Sequence, residues 1–353
     1  MSRRYTLPSV EAAFSSSFDE IIDVRSPAEF AEDSLPGAIN LPVLNDEERA
    51  RVGTIYKQTS PFDARKIGAA LVARNTGRHL EEALSDRDGS WRPLVYCWRG
   101  GQRSGAFATI LSQIGWRVSV LEGGYQSFRR AVVKRLYHAP LESPVLLLDG
   151  DTGTAKTAIL HRLAARGVQV LDLEGLAAHR GSLFGGLAGP QPDQKAFETA
   201  LAGEIVRLSP DRPVVVEAES SRIGERNVPP SLWNAMKAAP RLQVTAPLAA
   251  RAAYTARTYD ELCRDPAALA DVLDQLRPLH PRERIEHWHE LAQGHAFEAL
   301  AAELMERHYD PRYRRMRERG DAPAAILRLD DLSEESLSGA AEEIEERLPT
   351  LFS

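Results

Sequence analysis

The sequence has little cysteine: two residues among 353, Cys97 and Cys263. Two lone thiols in unlike surroundings build no disulfide framework, so a stapled secreted scaffold is excluded and a reducing compartment is expected. Long apolar runs are missing as well. No stretch approaches the ~18 consecutive apolar residues of a membrane-spanning helix, and the residues after Arg3 and Arg4 lack the apolar centre of a signal peptide. The expectation is a cytoplasmic protein with no membrane partner. Charge of one sign is not in excess: 44 Lys and Arg against 50 Asp and Glu give a net charge of -6. That excludes a general polycation but leaves local basic patches open as nucleic-acid contacts. Internal repeats and low-complexity tracts are also lacking, which excludes a repeat array.

What remains is ordinary globular composition, 43% hydrophobic and 27% charged, with a length that suits two domains at roughly 150 residues each. Apolar strand-like runs alternate with helical patterns in both halves, so the expected class is α/β with parallel sheets. Glu20–Phe30 reads as a buried strand ending in Asp23 and Arg25, followed by a helix with Pro27 in its first turn. Residues 139–144 hold two prolines and no periodicity. They are the expected linker between a first domain, 1–138, and a second, 145–353, whose part beyond Leu248 is nearly all helical.

Two loops carry chemistry. In the first, the strand ending at Tyr96 runs into Cys97, then Trp98, Arg99, Gly100, Gly101 and Gln102, then Arg103 and Ser104 at the head of a helix. A cysteine there faces successive backbone N–H groups and the positive end of the helix, which stabilise a thiolate. A cysteine that merely packs as a small hydrophobe needs no glycine pair and arginine in that order. Cys97 is therefore read as a nucleophile. The spacing Cys-x5-Arg also fits the phosphate loop of cysteine-dependent phosphatases, whose thiolate attacks phosphorus, but no carboxylic acid to protonate a leaving group is identifiable nearby.

The second loop, Gly150 to Thr157, follows the strand Val145–Asp149 and opens another helix. It fits the phosphate-binding pattern Gly-x4-Gly-Lys-Thr, except that Ala155 stands where the second glycine is expected. Gly150, Thr152, Gly153, Thr154, Ala155, Lys156 and Thr157 are the expected diphosphate-binding residues, with Ala155 tolerable only if its φ stays negative. The strand Val214–Glu217, with Glu219 and Arg222 after it, reads either as a metal-supporting strand end or as a hydrogen-bonding cluster. No metal-ligand set is assigned. His179 and Arg180, in a loop continuing through Ser182 and Leu183, suit either contact with an anion or RNA or a solvated surface. Tyr309, Arg312 and Tyr313, in a basic stretch running to Arg319, read as a solvated helix or as an RNA contact in which arginines take phosphates and rings stack on bases. Arg129, Arg130, Lys134 and Arg135 form a second basic patch, and Cys263 reads as structural.

The Asp-Val-Arg-Ser-Pro-Ala-Glu-Phe stretch at 23–30, Pro-Gly-Ala-Ile-Asn at 36–40, the Cys97 loop and Glu-Gly-Gly at 122–124 together resemble the rhodanese family over about residues 15–138. The rhodanese loop is usually one residue shorter, so the extra glycine is expected to widen the cradle for a cargo larger than sulfane sulfur. The phosphate loop follows directly. Further stretches are Asp-Leu-Glu-Gly-Leu-Ala at 172–177, His-Arg-Gly-Ser at 179–182, Gln-Pro-Asp-Gln-Lys-Ala-Phe-Glu at 191–198 and Glu-Ser-Ser-Arg-Ile-Gly at 219–224. With these the chain resembles the tRNA 2-selenouridine synthase family as far as Tyr309–Pro311. The resemblance implies a rhodanese-like parallel-sheet domain followed by a P-loop-type α/β domain. It further implies a transferase that replaces sulfur by selenium at the wobble 2-thiouridine of tRNA, with selenophosphate as donor and geranyl diphosphate as a second substrate. Cys97 would carry selenium as a selenylsulfide. No tightly bound cofactor is implied, and whether Mg2+ accompanies the diphosphate is left open. The alternative is a thiosulfate-type sulfurtransferase fused to a nucleotide-binding module.

Overall fold

The computed structural model describes residues 2–181, 184–185, 189–317 and 322–352. They divide into two compact units, Met1–Pro140 with Pro192–Arg207, and Leu141–Gln191 with Leu208–Ser353.

The first unit runs β1 (Arg3–Tyr5), α1 (Glu11–Phe14), β2 (Glu20–Asp23), α2 (Pro27–Glu32), β3 (Ala38–Asn40), α3 (Asp46–Gln58), α4 (Pro61–Glu81), β4 (Pro93–Tyr96), α5 (Gln102–Ile114), β5 (Ser119–Leu121) and α6 (Gly124–Val133), closed by a π-helical turn, Lys134–His138. Its sheet has the order β1-β5-β4-β2-β3, and every pairing is parallel. Ile22 lies opposite Val95 and Asp23 opposite Tyr96. The carboxyl ends of the adjacent strands β2 and β4 therefore coincide, and Cys97 follows at that edge, where open parallel sheets gather their ligands. Ile22, Val24, Val95, Phe107 and Leu111 are wholly buried around this edge. Short β1 escaped the sequence reading, because a three-residue strand with two exposed arginines carries no alternation to detect.

The chain continues with β6 (Val145–Gly150), α7 (Lys156–Ala165), β7 (Gln169–Leu171), α8 (Leu173–Leu176), α9 (Gln194–Arg207), β8 (Val214–Glu217), the two-residue strands β9 (Arg222–Ile223) and β10 (Arg226–Asn227), α10 (Pro230–Ala238), β11 (Arg241–Thr245) and α11 (Leu248–Thr258). Then come α12 (Asp260–Cys263), α13 (Pro266–Asp274), α14 (Arg282–Gln293), α15 (Phe297–Leu304), a π-helical turn at Met305–Tyr309, α16 (Asp310–Arg317), β12 (Ala325–Arg328) and α17 (Glu334–Leu351). The second sheet has the order β12-β11-β6-β8-β7, again all parallel. Leu148 pairs with Glu217 and Gly150 with Val244, which brings three strand ends to the head of the phosphate loop. Among the described residues no helix is long and apolar enough to cross a membrane.

The sequence boundary at 139–144 puts α9 in the second domain, whereas its contacts group it with the first unit. Glu198 is buried and accepts hydrogen bonds from Arg129, from the Tyr137 hydroxyl at 2.6 Å and from Gln194 at 2.9 Å. Thr199 donates to Asp33 at 3.1 Å, and Gly203 lies so close to the Phe14 ring that a Cβ there would stand 2.5 Å from it. A buried face reads the same in sequence whichever unit covers it.

Candidate functional site

The Cys97 loop is built from the sheet edge upward. Below it, Arg25 and Asp23 form a wholly buried pair, Nη2 to Oδ2 at 2.6 Å, with Arg25 also donating to the Asp33 carbonyl and lying 4.1 Å over the Tyr125 ring. Trp98 stacks on Tyr125 at 5.3 Å between centroids. The loop's own carbonyls are tied down by the head of α6: Tyr125 N–H donates to Cys97 and Gln126 N–H to Trp98, at 2.8 and 3.1 Å. Gly100 has φ +64, and a Cβ on it would stand 2.3 Å from the Leu121 carbonyl oxygen, so only glycine fits. Gly101 has negative φ and no atom near a Cβ position, so neither a turn nor a close approach requires glycine there.

Cys97 is 4% exposed, with its sulfur accepting from the Ser104 hydroxyl at 3.2 Å. Burial pushes its thiol pKa up. The Ser104 hydroxyl, the N–H groups of Ser104 and Gly101 and the charge of Arg103 outweigh that and bring it below the ordinary thiol value. Arg103 is held by both carboxylate oxygens of Glu29, at 2.6 and 3.2 Å. Glu29 is fixed in turn by its capping box with Ser26. Arg99 and Gln102 are exposed beside the loop.

In the second unit Thr152 to Ala155 of the loop line a pocket of about 420 Å³ with Lys156, Thr157, Glu174, Arg180, Glu219 and Tyr313. Lys156 Nζ donates to the Gly150 carbonyl at 3.1 Å and lies 5.9 Å over the Tyr313 ring. Thr157 donates to Glu174 at 3.1 Å. The requirement for a negative φ at Ala155 is not met: φ is +59, the left-handed conformation that the glycine of the pattern would adopt freely. Alanine is strained in that conformation where glycine would not be. Burial works against the Lys156 ammonium, yet Tyr313, Glu219, Glu174 and Glu217 hold its pKa above the ordinary lysine value. The carboxyls move the other way. Burial, with Glu219 nearby, pushes Glu174 up to about 7; burial also raises Glu219, and it raises Glu217 well above the usual range with Glu174 adding to it.

The remaining expected residues disperse. Arg180 lines the same pocket, 4.6 Å over the Tyr259 ring, and half-buried His179 accepts from Gly181 N–H at 3.1 Å. Ser182 and Leu183 lie outside the described residues, as do Glu318 and Arg319 at the end of the basic stretch. Arg222 is exposed and pairs with Glu225, away from the pocket. Tyr313 faces the loop and Tyr309 an apolar cavity, whereas Arg312 is exposed and bonded to His308 at 3.1 Å. Thr255 of α11 and Tyr259, the residue after that helix, also line this pocket. Sequence reading missed them, since a threonine and a tyrosine on a helix a hundred residues away carry no motif.

These units define the class: a rhodanese-like cysteine domain followed by a P-loop-type α/β domain with a helical C-terminal part. A rhodanese-like domain model matches residues 7–131, and the model of the tRNA 2-selenouridine synthase AAA domain matches residues 143–277. The chain belongs to the tRNA 2-selenouridine synthase family. A tRNA 2-selenouridine synthase of Hydrogenovibrio crunogenus is 37% identical over 256 residues, 68% of each chain. One from Nitrosomonas europaea is 39% identical over 235 residues, 65% of this chain and 61% of its own. Against the first relatives matched, the chain spans 60 to 62% of their length. A solved rhodanese-related protein from Thermoplasma volcanium aligns at 21% identity with a TM-score of 0.23, covering 36% of this chain and 91% of that one.

Proposed function

We propose that the chain replaces sulfur by selenium at the 2-position of the wobble uridine of tRNA, using selenophosphate and geranyl diphosphate. The observation that carries this is the presence, in one chain, of a thiolate-stabilising cradle at Cys97 and a lysine-bearing loop suited to a diphosphate. The name shared by the relatives supports it.

In the first step Lys156, Thr157 and the backbone N–H groups of Thr152 to Ala155 hold the geranyl diphosphate head. The thiouridine sulfur attacks the allylic carbon, the C–O bond breaks and diphosphate leaves. In the second, the Cys97 thiolate attacks the phosphorus of selenophosphate: an S–P bond forms, the P–Se bond breaks and hydrogen selenide anion leaves. Hydrogen selenide is far more acidic than an alcohol, so this leaving group needs no general acid beside the loop. The selenide then adds to C2 of the S-geranyl uridine, the C2–S bond breaks, geranylthiolate leaves, and the proton of the hydrogen selenide passes to N3. Water cleaves the S–P bond, which restores Cys97 and releases phosphate. A selenylsulfide on Cys97 would instead require a two-electron oxidant, because selenium in selenophosphate is already at the level of selenide. A Mg2+ accompanying the diphosphate would be held by Thr157 and the buried carboxyl of Glu217.

The test is mass analysis of nucleosides from thiouridine tRNA incubated with the pure chain, selenophosphate and geranyl diphosphate. The wild type yields 2-selenouridine; Cys97→Ser stops at S-geranyl-2-thiouridine, and Lys156→Ala loses geranylation. Wild-type protein that yields neither product overturns the proposal, and selenium incorporation by Cys97→Ser removes the cysteine from it.

A further inference from the structure

In the first unit the connection from β3 to β4 is a helical hairpin. Asn45 caps α3 through a capping box with Glu48, and Ser60 caps α4 with Pro61 in its first turn. Charge is concentrated on this hairpin. The whole chain carries a net charge of -6, yet residues 49–79 hold seven lysines and arginines against one acid, Asp63. All seven cations are exposed, and among the described residues only Arg49 of them is ion-paired, with Glu29 at 3.7 Å. Two exposed rings stand among them: Tyr56 is 56% exposed and Phe62 67%. Between α3, α4 and the head of α5 lies a groove of about 400 Å³, in the size range of small-molecule sites. Tyr56 and Arg65 line it, Gly68 and Ala106 leave it open, and Gln102 and Arg103, beside the Cys97 loop, form its other wall.

We infer that the α3–α4 hairpin is the docking surface for the unpaired RNA loop that carries the wobble uridine, with the target base stacked on Tyr56 in the groove beside the Cys97 loop. The inference rests on the proposed reaction at tRNA and deepens it. Unpaired RNA is held by rings that stack on bases and by cations that follow the phosphates. A protein partner would call for a contiguous apolar patch, whereas here the rings are set singly among Lys57, Arg65 and Lys66. The Gln102 carboxamide carries both a donor and an acceptor, which the N3–H and O4 edge of uridine requires. The basic stretch at 310–317 lacks this pairing of ring and cation, because Tyr309 and Tyr313 line cavities of the second unit.

The test measures binding of a wobble-thiouridine tRNA to the full chain by fluorescence anisotropy. Tyr56→Ala is expected to weaken binding at least about 5-fold, the loss of one stacked base, and Tyr56→Phe, which keeps the ring, is expected to bind as the wild type does. Arg65→Ala combined with Lys66→Ala is expected to weaken binding at least about 5-fold and to lower the log–log slope of its salt dependence by about one. A second readout needs no mutation: tRNA with 5-iodouridine at the wobble position is photocrosslinked, and the linked peptide is expected to contain Tyr56. Wild-type affinity and salt slope in these variants overturn the inference and leave the reaction at tRNA standing. A crosslink confined to the stretch 310–317 overturns it in favour of the second unit. Failure of the wild type to bind the tRNA overturns both the inference and the proposed reaction.

Discussion

Burial and hydrogen bonding pull the Cys97 thiol in opposite directions, and the hydrogen bonds win. The winning margin depends on Ser104, whose hydroxyl and N–H both favour the charged sulfur. Ser104→Ala should therefore move the midpoint of the pH profile for Cys97 alkylation upward. The thiolate fraction at pH 7 falls with it, and alkylation slows several-fold. A midpoint that stays in place would show that the hydroxyl does not hold the thiolate. Cys97, the glycine pair and Ser104 were legible in the sequence because strand, loop and helix head are consecutive. Glu29, which holds Arg103 from 74 positions away, was not. An arginine in a cysteine loop reads as a free cation until the fold supplies its carboxylate.

The phosphate loop shows what one element demands of its backbone. Gly153 and Ala155 both have positive φ, but only Gly153 is hemmed in by Met305, Thr255 and Arg251. Gly153→Ala should cost about 2–4 kcal/mol, from the left-handed conformation and overpacking together. Ala155→Gly removes a strain of about 1–2 kcal/mol and loses a buried methyl of about 0.8 kcal/mol, so it should leave stability unchanged or slightly raised. Urea unfolding of the two variants checks the contrast, and equal losses would contradict it. Strand, loop and helix were readable from periodicity and the Gly-x4-x-Lys-Thr spacing, whereas the sign of φ at Ala155 was not. Tyr309 and Tyr313 illustrate the same limit. Among arginines they look like a surface stripe, yet their four-residue spacing puts them on one helical face, and after the π-helical turn at Met305–Tyr309 that face turns inward.

On the scale of the whole chain, the first unit is discontinuous. Glu198, on α9, supplies the carboxylate that Arg129 and Tyr137 bond inside that unit. Removing one partner of a buried pair leaves the other charge uncompensated, so Glu198→Ala should destabilise the first unit by about 3 kcal/mol. Proteolysis or hydrogen exchange of α6 is the measurement, and protection equal to wild type would refute the role given to α9. A fragment ending at Pro140 should show the same loss in larger measure, because Asp33 and Phe14 also lose their partners. Two parallel-sheet domains and the linker were legible from alternation and prolines. The excursion of α9 was not, since amphipathicity reports a buried face and not its owner.

That excursion bears on how the protein is made. When residue 140 leaves the ribosome, the first unit still lacks the helix that neutralises Arg129 and covers Phe14. The missing segment, 192–207, is synthesised only after β6, the phosphate loop and β7 have emerged. N-terminal domains commonly finish folding before the next begins. In this chain the order is interleaved: the contacts of the cysteine unit are completed only by a segment that is translated within the other.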